Sequence, residues 1–138
     1  EMVAVFRAAD ADLTRVEELP ETEKWESSRT GRLFARTGGM TEALISTIKK
    51  LQPDKNVQPV LAEGMGNCEK LLRIADRGAL NGNLIEGMAC VGGCVGGPGA
   101  LLKEVVATKL VNDYSQKSPY FYSLDNPSLK KQAVKEKK

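Results

Sequence analysis

Not one histidine occurs in the 138 residues of this chain. That absence removes every mechanism built on an imidazole base, Ser-His-Asp and Cys-His hydrolysis among them, and every zinc site with a His ligand. Cysteine is scarce too. The three residues Cys68, Cys90 and Cys94 are an odd number, which argues against a disulfide framework and for a reducing, cytoplasmic setting. No apolar run approaches the roughly 20 residues that a membrane-spanning helix needs, and no basic-then-apolar leader opens the chain. Neither a membrane span nor a secreted precursor is expected.

A large excess of one charge is also missing, since 20 basic and 18 acidic residues leave +2. The segment from Ser118 onward carries +3 and residues 1–117 carry −1. The body therefore offers no basic face for phosphates, and no nucleic-acid partner is expected. With 41% hydrophobic against 28% charged residues, the composition is that of a globular protein, and the length suits a single domain with its own core.

What is present is a recurring unit. Residues 1–30 form a lead-in, in which Met2, Val3, Val5 and Phe6 read as a short strand and Asp12 to Glu18 as a capped helix that Pro20 ends. Residues 31–117 then repeat short apolar strand, glycine-containing turn and amphipathic helix, the grammar of a parallel sheet with crossover helices. The first unit places a strand over Gly31 to Thr37, a turn at Gly38-Gly39, and a helix from Met40 to Leu51 with Met40, Leu44, Ile48 and Leu51 along one stripe. The second places a strand over Val57 to Ala62, a turn at Gly64-Met-Gly66, and a helix capped by Asn67. That helix has Cys68, Leu71, Leu72 and Ala75 on one face and Gly78 at its end. Pro59 marks its strand as an edge or as carrying a bulge. The third runs from a strand over Asn83 to Ala89, through a loop spanning residues 86–99, into a helix from Ala100 to Tyr114 striped by Leu102, Val106 and Leu110. Residues 118–138 read as an aromatic segment, Pro119 to Tyr122, that packs back on the body, followed by a frayed lysine-rich end. The expected architecture is α/β, with at least three short parallel strands and the cysteine loop at their carboxyl ends, where open sheets place ligands.

Six of the thirteen glycines fall between Gly87 and Gly99, around Cys90 and Cys94. Glycine lets backbone approach a partner closely, so Cys90-x3-Cys94 in this setting describes a loop wrapped round a bulky inorganic guest. Thiolates suit zinc or an iron-sulfur cluster, whose sulfides exposed amides can hydrogen-bond. Two other readings stay open: a glycine-rich turn with inert thiols, and an anion cradle where Gly96-Gly97-Pro98-Gly99 opens a helix, although the Gly-Lys-Ser/Thr ending of a nucleotide loop is lacking. Cys68 is read as a core thiol, Met88 and Phe34 as core side chains, and Glu42 as a carboxylate favoured by the start of its helix.

The run Glu86-Gly-Met88-Ala-Cys90-Val-Gly-Gly-Cys94-Val-Gly-Gly resembles the last cysteine motif of the iron-only (FeFe) hydrogenases. Phe34-Ala-Arg-Thr-Gly38-Gly39-Met-Thr-Glu42-Ala43 resembles a stretch upstream of it in that family, and Gly64-Met-Gly-Asn67 a turn between the two. The resemblance covers residues 31–99 and implies the hydrogenase large-subunit fold and the H-cluster, a 4Fe-4S cubane joined through a cysteine sulfur to a di-iron subcluster.

By that resemblance Cys90 ligates the cubane, and Cys94 ligates it while bridging to the di-iron unit, which makes it the catalytic cysteine. Phe34 and Met88 wall the pocket, and Thr37, Gly38, Gly39, Gly92 and Gly93 complete the cofactor-binding set. The implied reaction interconverts dihydrogen with protons and electrons, with a redox partner such as ferredoxin. The family's cubane takes four cysteines, and its two upstream cysteine motifs have no counterpart here. The resemblance therefore implies a C-terminal portion of a hydrogenase, inactive alone, whose partner is the remainder of the parent chain. Two other classes share these features: a hydrogenase-like iron-sulfur protein of cluster assembly, and a metal-free sensory or interaction module.

Overall fold

The computed structural model describes residues 2–15 and 26–127. Among the described residues, four helices and two strands follow in the order α1 (Met2–Ala8), α2 (Gly39–Leu51), β1 (Pro59–Glu63), α3 (Met65–Asp76), β2 (Leu84–Met88) and α4 (Glu104–Gln116). β1 and β2 pair in parallel, with Pro59 opposite Leu84 and Glu63 opposite Met88, and α3 is the crossover between them. This is the α/β unit that the strand-turn-helix grammar predicts. Pro59 sits at the first position of its strand, where a missing N–H is tolerated.

The segment Gly31 to Thr37 is not a strand. Gly31–Leu33 is a short 3-10 turn, and the chain continues in turns to Gly38. Its backbone groups bond to the cysteine loop, with Thr37 donating to Gly92 at 3.0 Å and Val95 back to Ala35 at 3.0 Å, while the preceding Thr30 donates to the Phe121 carbonyl at 3.4 Å. Only two strands form among the described residues, one fewer than expected. Residues Met2–Ala8 are helical, not extended: among the described residues no strand pairs with them, and the local i to i−4 bonds satisfy their backbone. Asp12 caps a 3-10 turn over Leu13–Arg15, with its carboxylate accepting from the Thr14 N–H at 3.0 Å and hydroxyl at 2.6 Å. The rest of the helix expected to Pro20, and the lysine-rich end, lie outside the described residues.

α3 begins two residues before Asn67. Gly64, at φ +79°, is its N-cap, and Asn67 instead donates its side-chain amide to the Glu63 carbonyl at 2.9 Å. α4 starts at Glu104, four residues later than expected, because residues 97–103 stay irregular up to the extended Lys103. The buried apolar side chains are Leu33, Ala62, Leu71 and Met88, which lie between the strands, α3 and the turn before α2. The α2 and α4 stripes expected to join them stay largely exposed. Met40 and Leu44 on α2, and Val106 and Leu110 on α4, each leave two-fifths or more of their surface exposed. No helix among the described residues is long and apolar enough to cross a membrane.

The segment after α4 packs back as its aromatics suggest, and backbone does much of the holding. Arg29 donates its N–H to the Tyr120 carbonyl at 2.7 Å, and Ser118 its hydroxyl to the Ser27 carbonyl at 2.8 Å. The Lys50 ammonium stands 4.4 Å above the Tyr122 ring and 2.5 Å from the Asp125 carboxylate.

Candidate functional site

β2 ends at Met88, and the chain runs straight into the cysteine loop at the carboxyl end of the parallel pair. Two bonds tie the loop's start to β1: Gly64 donates its N–H to the Met88 carbonyl at 2.9 Å, and Gly92 donates to the Glu63 carboxylate at 3.1 Å. Tight turns follow. Gly93 N–H donates to the Cys90 carbonyl at 3.1 Å, and a 3-10 turn over Cys94–Gly96 carries the second cysteine.

The segment Phe34 to Gly39 lies against this loop. Thr37 N–H donates to Gly92 and Val95 N–H donates to Ala35, so the two stretches are bonded on either side of Gly93. Their backbones are close enough that a β-carbon on Gly93 would come within 2.7 Å of the Thr37 nitrogen; one on Gly92 would instead come within 2.2 Å of the Glu104 side chain at the start of α4. Both glycines have positive φ, +86° and +83°. Their glycine content is accounted for by loop packing against protein, so these two positions do not require a guest.

Cys94 is exposed, beside a cavity of about 520 Å³ lined by Val95, Pro98, Leu101 and Ala107. Cys90 is half-buried, and its sulfur lies 3.6 Å from where a Gly97 β-carbon would stand. Met88 is buried, as expected of a core side chain. Phe34 is not core: 49% of its surface is exposed, because the strand that would have turned it inward is a turn. Cys68 is half-buried on α3, its thiol 3.4 Å from the Met88 carbonyl and 3.6 Å from that of Ala62, a small donor wedged between the strand ends.

Two polar side chains organise the junction, and sequence reasoning gave neither a role. Glu86, only 3% exposed, spans from β2 to the start of α2; one carboxylate oxygen accepts the Gly38 N–H and the other the Thr41 N–H, each at 2.7 Å. Gly38 makes no side-chain cap for α2, so a residue 45 positions from Thr41 supplies it. Arg36 donates from Nε to Asn112 Oδ1 of α4 at 2.7 Å and from Nη2 to Glu42 Oε2 at 2.6 Å. Glu42 thus has an ion-pair partner besides its favourable place at the start of α2.

Thiolates are the right kind of ligand for an iron-sulfur cluster, and two of them are half of a four-cysteine set. No group of three or more Cys, Asp or Glu side chains that could hold a metal ion occurs among the described residues. The donors fit an iron-sulfur guest in chemistry and fall short of it in number.

Fold and loop together define an α/β unit that presents two thiols at the carboxyl end of a parallel strand pair, braced by a glycine-rich segment from before the sheet. The chain belongs to the family described as the C-terminal domain of the iron only hydrogenase large subunit, whose model matches residues 1–98. The matched stretch contains both loop cysteines and the Gly38-Gly39 segment, and it stops before α4. This family is part of an oxidoreductase. No curated protein matches the chain.

Proposed function

We propose that this chain supplies two thiolate ligands, Cys90 and Cys94, and part of the pocket wall for the H-cluster of an iron-only hydrogenase, with the other ligands coming from the remainder of the parent polypeptide. The observation that carries this reading is the bonded junction of the two loops, Thr37 to Gly92 and Val95 to Ala35, which brings the two hydrogenase-like motifs into one place. The bound cluster, a 4Fe-4S cubane with its di-iron partner, would supply the interconversion of dihydrogen with protons and electrons.

The chain's own residues do simpler things. Cys90, backed by Gly97, and the exposed Cys94 present sulfur from the two ends of one tight turn. In this reading Cys94 is the bridging thiolate. Met88 closes the apolar floor beneath the loop, Phe34 offers a ring at its rim, and Thr37, Gly38, Gly39, Gly92 and Gly93 form the backbone wall. Exposed apolar side chains around the same end, Val91, Met65 and Phe34, are the surface on which the remainder of the chain would close and exclude water. Electrons would arrive from a redox partner such as ferredoxin, in a reducing cytoplasmic compartment.

The test is hydrogen evolution from a reduced viologen by the complete parent polypeptide, with and without Cys94→Ser. The reading expects evolution from the unaltered protein and none from the variant. Undiminished evolution by the variant would overturn it.

A further inference from the structure

We infer that Glu86 is a positioning residue for the thiol pair, the buried strut that sets where the cysteine loop stands against α2. This deepens the proposed ligand role of Cys90 and Cys94 and rests on it. The strut starts four residues before Cys90, in a strand otherwise built of apolar residues and glycine. A carboxylate buried to 3% exposure is costly unless its oxygens are satisfied, and both are, by main-chain donors of one helix start. Those donors belong to Gly38 and Thr41, so the carboxylate fixes the residue that follows Thr37 and the first turn of α2 together.

From there the linkage runs through backbone. Thr37, one residue before Gly38, donates to Gly92, and Ala35 accepts from Val95, the residue after Cys94. β2 therefore holds the cysteine loop twice: directly through the chain at Met88, and from the opposite side through Glu86, the start of α2 and the two inter-loop bonds. Arg36, bonded to Asn112 and Glu42, stops the intervening segment from swinging away. Removing the carboxylate releases the second hold and leaves the first. The expected result is a thiol pair whose spacing is no longer set, with the sheet beneath it intact.

The experiment compares the unaltered chain with Glu86→Gln, which keeps the shape but turns an amide N–H toward one of the two donors. Two readouts are taken: cadmium titration followed by the sulfur-to-metal absorption band, and residue-resolved amide hydrogen exchange. Loss of an orienting group typically costs 10- to 100-fold in metal affinity, so cadmium affinity is expected to fall about tenfold or more. Exchange at Thr37 and Val95 should accelerate about tenfold or more, with the β1–β2 ladder amides unchanged. Equal acceleration of ladder and loop, or unchanged cadmium affinity, would overturn the inference. Should the Gln variant not fold, the same readouts on Glu86→Asp, which keeps the charge on a shorter arm, decide by the same criteria. If the unaltered chain shows no two-thiolate cadmium band, the ligand reading of Cys90 and Cys94 fails, an outcome separate from a variant that matches the unaltered chain.

Discussion

Gly93 meets Thr37 backbone to backbone: its α-carbon lies so close that an added methyl would stand 2.7 Å from the Thr37 nitrogen and 2.9 Å from the Arg36 carbonyl carbon. Backbone on both sides leaves nothing that can yield cheaply, and the +86° φ of Gly93 disfavours any side chain. Gly93→Ala is expected to cost about 2–3 kcal/mol, the sum of a strained conformation and a broken inter-loop contact. Gly66→Ala is the matched control. It lies in the first turn of α3 with nothing within 4 Å, and it should stabilise by about 0.5 kcal/mol through helix propensity. Urea unfolding of both variants measures the contrast, and equal effects would refute it.

The exposed face of α4 makes a second expectation. Val106 and Leu110 leave 47% and 52% of their surface exposed, so neither contributes much to the fold of this chain by itself. Val106→Ser and Leu110→Ser should each shift stability by no more than about 0.5 kcal/mol. In the complete parent protein the same changes should cost more, if the remainder of the chain covers this face. Thermal unfolding of the two forms side by side gives the comparison.

What the sequence makes legible is what local contacts decide. α2, β1, α3 and β2 lie within a few residues of where their periodicity and their glycine and proline boundaries place them, since those signals are carried by neighbours in sequence. In residues 31–37 the apolar cluster Leu33-Phe34-Ala35 looks like a strand core, whereas the segment's long-range backbone partners are in the cysteine loop: Ala35 accepts from Val95 and Thr37 donates to Gly92. The stripes of α2 and α4 were correct as patterns but not as burial, because a two-stranded sheet gives them too little surface to cover. Glu86 left a faint trace: a charged residue inside Leu-Ile-Glu-Gly-Met, together with a helix that begins at Gly38-Gly39 with no Ser, Thr, Asp or Asn to cap it. Each is unremarkable alone, and together they match an acceptor to two donors.

Asp12 offers a pH test. The Thr14 hydroxyl, and after it the Thr14 backbone N–H, hold the Asp12 carboxyl below its ordinary pKa. A depressed folded-state value means the turn gains stability above the unfolded-state pKa and loses it as pH falls through the folded-state one. The resonances of residues 12–15 should therefore move toward random-coil values on acidification through that window, and in Asp12→Asn the acid-induced change should be absent. An identical acid response in the variant would assign the effect to another group.

The isolated chain is expected to purify colourless under anaerobic conditions and to evolve no hydrogen, because two thiols cannot complete a four-cysteine ligand set. A stable brown chromophore carrying about four irons per chain would show that no second half is needed.

The most direct measurement is the iron count of the anaerobically purified parent polypeptide, taken with Cys90→Ser, with Cys94→Ser and with Cys68→Ser beside the unaltered protein. Cubane iron should be lost or sharply reduced in the first two and retained in the third, whose thiol is wedged between the strand ends. Full iron occupancy in both loop variants would contradict the account at its root.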